Sequence, residues 1–465
     1  MKTPFRLLAA LLTFCIAAAA IPTAGLAAEA ESGFFDLKAA VERAADGSTI
    51  TLTNDAIVNA DRETSPWIID KNVTIDGNGR IVSVRMMGIL LDADVTFKNM
   101  DLRLVSSDGR NAIIANGHSL TLDSVTTEAI SVNGVSSKAH SINIFGGSLQ
   151  KGDHENYFEV PSPGAESTIT IRGNTNLQGS DEILGDGNIF AGSLSMGTFG
   201  ENATDGPATN FTGNVTINIE GSKGTGSLGT IYAGGGQNRT PQGAISGKET
   251  TPNPEKYTVT GTVTITGTNA LPDVDGAGAT ETNVIYKASP NTKPKIALAN
   301  ISSFQMEQGK LILGETSSLR DECSLAVLSG AELEVSKYTG RIGDFTGGGS
   351  LVLGKDQTLE ITGRVEGQTT IGVGQILNGA SGIPTLDHTY IKAPNSNADS
   401  FRLAPPNVAN PPVLAFDGGN WTASAGSSSG DENLIASFHF VIKEVPVAPG
   451  EEAEFEMNAT LANDD

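Results

Sequence analysis

Short segments in which apolar and polar residues alternate recur along the chain at a regular interval. Alternation with a period of two is typical of β-strands that bury one face. The leading apolar residues of successive segments lie 22 to 27 positions apart, and the residue between each apolar pair, usually Thr, is expected to face solvent. The apolar pairs are Ile50 and Leu52, Val73 and Ile75, Val95 and Phe97, Leu120 and Leu122, Ile142 and Ile144, and Ile169 and Ile171.

This spacing predicts a solenoid, in which each coil buries its apolar pair against the coils before and after it. Gly and Asn occupy the connections, as at Gly77, Asn78 and Gly79, and both tolerate the left-handed backbone that tight corners require. A β-sandwich would instead show turns about every 8 to 12 residues. The predicted fold class is therefore all-β, as a parallel β-helix.

The interval between strands widens in the middle of the chain. Val215 and Val263 lead the next alternating segments, 46 and 48 positions after the preceding leader. Polar loops such as 197–212 and 237–257 fill the added length and are expected to project from the scaffold. Two further internal repeats extend the pattern, pairing 189–192 with 231–234 and 309–314 with 349–354.

Both ends of a solenoid expose apolar residues and need covers. Near the N-terminus, four apolar residues spaced at i, i+3, i+4 and i+7 predict an amphipathic capping helix. Asp36 is its predicted N-cap and Gly47 closes its end, while Phe34 and Phe35 are expected to help cover the first coil. The apolar positions of this helix are Leu37, Ala40, Val41 and Ala44.

The chain divides into five predicted segments. An apolar stretch behind Lys2 and Arg6 predicts a signal peptide, with cleavage after Ala27 and Ala30 as the second choice. Trp421 and the alternating residues near Phe438 suggest a small β-rich tail at the C-terminus. The predicted segments are 1–27 (signal peptide), 28–47 (capping helix), 48–395 (β-helix with inserted loops), 396–412 (Pro-rich linker) and 413–465 (tail).

The net charge and the cysteine count limit which binding partners and which cellular compartment are expected. The formal net charge is −23, and loss of the signal peptide with its two cations makes it −25. Nucleic acid and anionic membranes need an excess of Lys and Arg, so neither is expected as a partner, and no membrane insertion is expected after signal cleavage. Only Cys323 would remain, which excludes an internal disulfide and favours export from a bacterium, to the medium or the cell surface.

Three segments of the chain resemble a known family, the secreted pectate-lyase-like β-helix proteins, in their bacterial adhesin-type branch. These segments are 36–41 (DLKAAV), 47–52 (GSTITL) and 72–77 (NVTIDG). The resemblance implies a right-handed coil of three sheets. It leaves the function open, because this fold carries lyases, hydrolases, tailspikes and non-catalytic adhesins.

Two acidic clusters are the candidate sites. Asp181, Glu182 and Asp186 lie in one Gly-rich turn, where carboxylate oxygens could bind a calcium ion or, equally, be solvated turn residues. No other cofactor is expected. A second cluster, residues 153–155 (Asp-His-Glu), matches no catalytic pattern, and cleavage of a glycosidic bond would need two carboxylates to converge.

Outward-facing threonines are a repetitive surface feature, at Thr49 and Thr51 and again at Thr168 and Thr170. Such residues order water in ice-binding solenoids, but they are also favoured on any exposed strand, and the Thr-x-Thr pair does not recur on consecutive repeats. The sequence therefore predicts a non-catalytic adhesive or structural module that binds extracellular polysaccharide or a surface glycoconjugate. The alternative is a polysaccharide lyase or glycoside hydrolase with a divergent active site.

Overall fold

The protein is all-β over the part of the chain that the computed structural model describes, with one helix at Phe34–Arg43. Most strands are parallel, and 27 of them form one continuous sheet. The described residues are 28–30, 33–57, 66–84, 88–104, 112–127, 130–132, 135–137, 141–150, 166–179, 187–196, 208–224, 226–239, 249–252, 257–267, 274–277, 282–288, 295–299, 301–313, 323–374, 376–377 and 380–426. The predicted signal peptide lies outside them.

The large sheet contains two long series of parallel pairings. We call the first series the main ladder and each of its strands a rung. Each rung pairs in register with the next, so that Ile50, Ile75, Phe97, Leu122 and Ile171 stack in line. The strands of the main ladder are Ala28–Ala30, Ser48–Leu52, Ala56–Ile57, Val73–Val84, Val95–Leu104, Ser119–Thr126, Glu166–Arg172, Thr209–Thr212, Asn214–Ile219, Tyr257–Gly267, Thr282–Ala288, Ser303–Leu313, Ser324–Val327, Phe345–Thr346 and Val365–Glu366.

A second ladder takes one strand from the connection between successive rungs. Ser303–Leu313 belongs to both ladders, because its first half pairs with Ser324–Val327 and its second half with Ala331–Glu334. This alternation of the chain between two parallel ladders is compatible with the predicted β-helix. The other strands of the second ladder are Trp67–Ile69, Ile89–Leu91, Ala112–Ile114, Asn143–Phe145, Ile189–Phe190, Ile231–Tyr232, Val274–Ala277, Lys295–Ala299, Ala331–Glu334, Ser350–Leu353, Thr369–Val373 and Phe401–Leu403.

Four smaller sheets complete the described strands. The largest is mixed, because an antiparallel hairpin adds to three parallel strands at its end. Its strands are Arg341–Ile342, Leu359–Ile361, Thr389–Lys392, Asn420–Ser424 and Val413–Asp417. The other sheets comprise Leu149–Gln150, Leu194–Met196, Gly236–Arg239 and Glu249–Pro252; Ile130–Val132 and Val135–Ser137; and Ile376–Leu377 and Ala380–Ser381.

The observed strand register differs from the predicted repeat at one apolar pair, Ile142 and Ile144. Ile144 pairs with Ile113 and Ile189 in the second ladder, whereas Leu120 pairs directly with Ile169 in the main ladder. The rung interval therefore widens to 49 residues one step earlier than the sequence suggested. The alternation at Ile142–Ile144 predicted that Asn143 faces solvent, but Asn143 is buried, because strands of the second ladder such as Asn143–Phe145 are buried on both faces.

The two later repeats have different origins. Residues 189–190 and 231–232 are paired neighbours in the second ladder, as their similarity predicts. The 40-residue repeat contains an intermediate strand, because Leu311 pairs with Leu333, which in turn pairs with Leu351. Two steps of about twenty residues therefore produce the offset of 40.

The inward residues of the ladders form one continuous apolar core, and a smaller cluster packs on the other face of the second ladder. In this smaller cluster the rings of Phe145 and Phe190 stack with centroids 4.5 Å apart, and those of Phe190 and Tyr232 with centroids 4.7 Å apart. Offset or parallel ring contacts of this kind add to the stabilisation from burial alone.

The N-terminal helix buries Phe34, Leu37, Ala40 and Val41 against this core, as predicted, with Ala44 partly buried beside them. Its N-cap is Gly33 and makes no side-chain hydrogen bond, so the prediction of Asp36 as the cap is wrong; Asp36 lies in the first turn. Phe34 packs edge-on against Trp67 with centroids 5.0 Å apart. Phe35 is 48 % exposed and therefore adds little to the plug.

The C-terminal end of the ladders is closed by an antiparallel hairpin, Val413–Asp417 with Asn420–Ser424. Trp421 in this hairpin is buried and packs edge-on against Phe401 with centroids 5.2 Å apart. Phe401–Leu403, in the segment predicted as a Pro-rich linker, pairs in parallel with Thr369–Ile371. The rest of the predicted tail, 427–465, lies outside the described residues.

Replacing Tyr286 with Phe is expected to stabilise the protein by about 1 kcal/mol, because the buried Tyr286 hydroxyl has no hydrogen-bond partner among the described residues. Burial also raises the pKa of Tyr286. The unfolded chain then releases a proton above pH ~10 that the folded chain keeps, so the parent should lose stability there.

Denaturant unfolding at pH 7 and at alkaline pH measures both effects, and the variant should lack the alkaline loss that Tyr286 causes. The matched control is Tyr390→Phe, since the Tyr390 hydroxyl donates to the Lys355 carbonyl and accepts from the Thr385 N–H. That variant should be destabilised. Equal effects of the two substitutions would contradict the assignment.

Candidate binding face

The candidate calcium ligands Asp181, Glu182 and Asp186 lie outside the described residues, as do residues 153–155. The calcium site therefore stays a prediction. Within the described ranges no group of three His, Cys, Asp or Glu side chains is close enough to hold a metal ion.

Two other sequence features have structural roles. Asn116 and Gly117 form a corner with positive φ, and the buried Asn116 amide donates to the Leu91 carbonyl at 3.2 Å. His118 follows, with its Nε2 3.7 Å from Asp92. Cys323 is 1 % exposed inside the core, so it offers no accessible nucleophile.

The main ladder carries a continuous row of outward-facing polar side chains, six threonines and one asparagine, which we call the threonine row. Each member pairs with the next in register across consecutive rungs, and each is partly exposed. Because paired strands lie about 4.8 Å apart, the hydroxyls repeat at that interval. The threonine row consists of Thr49, Thr74, Thr96, Thr121 and Thr170, followed by Asn218 and Thr266.

A polar groove of about 370 Å³ adjoins the row at its C-terminal end. It crosses three consecutive rungs, and apart from the buried Ser167 its lining residues occupy the positions two and four residues before the row on each strand, so groove and row share one face. The residues that line it are Glu166, Ser167, Thr168, Asn214, Thr216, Thr262 and Thr264.

Several hydroxyls on this face have no hydrogen-bond partner among the described residues. Thr74, Thr96 and Thr121 make no side-chain hydrogen bond to any residue within the described ranges, whereas Asn218 links Thr170 and Thr266, accepting from the Thr266 hydroxyl at 2.7 Å. The unpaired hydroxyls can donate to and accept from a ligand.

The other side of the row is charged. Asp76, Lys98, Asp123 and Arg172 occupy the positions two residues after the row on successive rungs, so the sign of the charge alternates along the ladder. The Arg172 guanidinium lies 3.1 Å from the Asp123 carboxylate. On this side the hydroxyl array ends at the row, whereas on the other side Ser119 and Thr168 extend it by one column on the rungs of Thr121 and Thr170.

Among the described residues that line the groove, Glu166 is the one carboxylate, and the others offer hydroxyl and amide groups that can donate and accept hydrogen bonds. Hydrolysis of a glycosidic bond requires two carboxyl groups about 5 to 9.5 Å apart.

The sequence pattern indicates the outward threonines but not their alignment into a row. The Thr-x-Thr pair does not recur on consecutive repeats, which is correct, yet a single Thr column does recur over five rungs. The signal was the Thr between each apolar pair. The column of threonines looked interrupted in the sequence because Asn143, which lies between Ile142 and Ile144, was counted as a member of the same strand series.

No helix within the described ranges is long and apolar enough to cross a bilayer. The chain matches no protein-family model, no curated protein and no solved structure.

Proposed function

We propose that this protein is a non-catalytic binding module, exported to the surface or surroundings of a bacterium, that holds extracellular polysaccharide on its polar face. The fold that we propose for it is a right-handed parallel β-helix of the pectate-lyase-like type, in its adhesin-type branch. The parallel pairing of strands 20 to 49 residues apart supports this fold, because each step returns the chain to the same ladder.

The proposal rests on the polar face, which comprises the threonine row and the adjoining groove. The groove offers hydroxyl, amide and carboxylate groups on three consecutive rungs, and saccharides are recognised by groups that donate and accept hydrogen bonds together. Rigid strands hold these groups, so little conformational entropy is lost when a ligand binds.

The net charge of −23 supports a partner that is not a polyanion. The summed field of an acidic protein repels nucleic acid and anionic membranes. A neutral glycan has no such penalty.

The alternative is a polysaccharide lyase or glycoside hydrolase whose site includes Asp181, Glu182 and Asp186. The two functions differ in their products. We expect the mature protein to be retained on a glycan array and to release no unsaturated or reducing ends from pectin, alginate or glycosaminoglycans above a buffer control. Product formation that is lost in Asp181→Asn would contradict the binding module and favour the enzyme.

A further inference from the structure

We infer that the threonine row binds one extended, uncharged, β-linked glycan chain that lies along the ladder axis, with about one sugar for each rung. This inference rests on the proposed function, because it names the class and the orientation of the polysaccharide that the polar face holds.

The geometry of the row suits a straight polymer. Its seven positions are set by backbone pairing, and at about 4.8 Å for each step they span ~29 Å. A β-1,4-linked glycan is also extended, and its sugars repeat at nearly the same interval as paired strands. Each sugar can therefore meet one side chain of the row, and because neighbouring sugars are turned over, their opposite edges alternate along it.

The chemistry of the row suits a sugar surface. Threonine offers a hydroxyl that donates and accepts, beside a methyl group that can pack on the C–H groups of a pyranose ring. The Thr74, Thr96 and Thr121 hydroxyls make no hydrogen bond to other described side chains, and each side chain is only partly exposed. A ligand hydroxyl can replace water there without breaking a contact within the protein.

The width of the row argues for a linear ligand over a crystalline surface such as ice. An ice plane would need an array that is regular in two directions. Over the first rungs the neighbouring column instead alternates Asp76, Lys98 and Asp123, and these charges bind water strongly. Thr168, Thr216 and Thr264 form a second column only beside the last three positions of the row, so over the rungs of Thr49, Thr74 and Thr96 a single line of hydroxyls matches a single chain.

The surrounding charge argues for an uncharged ligand. The column that flanks the row is balanced, with Lys98 and Arg172 beside Asp76 and Asp123, but Glu166 lines the adjoining groove and the whole chain has a net charge of −23. The summed field of the chain would therefore repel a polyuronate or sulfated glycan.

Isothermal titration calorimetry with cello-, xylo- and chito-oligosaccharides tests this inference, using each series from the disaccharide to the octasaccharide. At least one series should bind, with affinity that rises with length until the chain spans about seven rungs. Thr96→Val and Thr121→Val should each weaken binding about five-fold, and the double variant about 25-fold, because each loses one hydrogen bond.

Two control variants and the melting temperatures separate an effect on recognition from an effect on folding. Thr96→Ser keeps the hydroxyl and should retain most of the affinity. Thr346→Val removes a partly exposed hydroxyl from the main ladder outside the row, four rungs beyond Thr264, and should bind like the parent. Valine favours strands as threonine does, so the melting temperatures should stay close to that of the parent.

Each other outcome contradicts the inference in a different way. Binding that is unaffected by both Val substitutions would place the glycan elsewhere and leave the proposed function standing. Binding of polygalacturonate alone would overturn the argument from charge. Thermal hysteresis that Thr96→Val abolishes, without glycan binding, would make ice the ligand. If the parent binds no saccharide on the array or in the calorimeter and shows no thermal hysteresis, the inference and the proposed function both fail.

Discussion

Replacing Ile75 with Asp is expected to destabilise the protein by about 3–5 kcal/mol, which is the cost of an unpaired charge in an apolar interior. Ile75 has no exposed surface and lies in register between Ile50 on the preceding rung and Phe97 on the next. A carboxylate at this position can reach neither water nor a cation without displacing the stacked side chains.

Thr74→Asp is the matched control, because Thr74 is adjacent in sequence and points outward from the same strand. It should cost well below 1 kcal/mol, as most surface substitutions do. Denaturant unfolding of both variants, followed by circular dichroism, gives the comparison. Similar losses for the two would mean that the inward and outward faces of this rung are assigned incorrectly.

Removing residues 28–46 should convert the protein into one that associates end to end or aggregates. This deletion takes away the helix that covers the first full rung and the strand Ala28–Ala30, which pairs in parallel with Ile50–Leu52. Ile50 and Leu52 would then be exposed, together with an unpaired strand edge that can recruit another chain.

Val41→Asp gives a milder test of the same cap, because Phe34, Leu37 and Ala40 can still hold the helix on the core. We expect partial association in sedimentation velocity. Glu42→Ala is the control, since Glu42 is exposed on the same helix and should leave the protein monomeric. A truncated protein that stays monomeric and melts like the parent would show that residues 28–46 do not form a cap.

The sequence predicted the buried faces of the strands better than it predicted their partners. Ile50, Ile75 and Phe97 are buried in the core as their alternation requires. The partner strand of Ile144 was misplaced because Asn143 between two isoleucines imitates the alternation of the main ladder, although the second ladder buries both faces of this strand and Asn143 with them. Pairing between strands depends on where the connecting chain returns, and single-strand periodicity carries no record of that path.

The candidate site was also predicted only in part: the sequence indicated the direction of single side chains but not their alignment between strands. The alternation gave the outward direction of Thr74 and Thr96, but their alignment into a row became visible only with the register. The helix cap was mispredicted for a local reason: the Phe34–Arg43 helix begins before Asp36, so that Asp36 falls inside its first turn.

The register of the main ladder holds while the length of chain between rungs changes from 20 to 49 residues. The pitch of the outer face is therefore a property of peptide hydrogen bonds, and the insertions carry no part of it. The spacing of positions along this face is therefore fixed by the backbone, and only the identity of the side chain at each position can vary. Under the proposed function, an altered preference among polymers of similar repeat would need only point substitutions along Thr74, Thr96 and Thr121. The chain between rungs can change in length without moving these positions, so the two kinds of change can evolve independently.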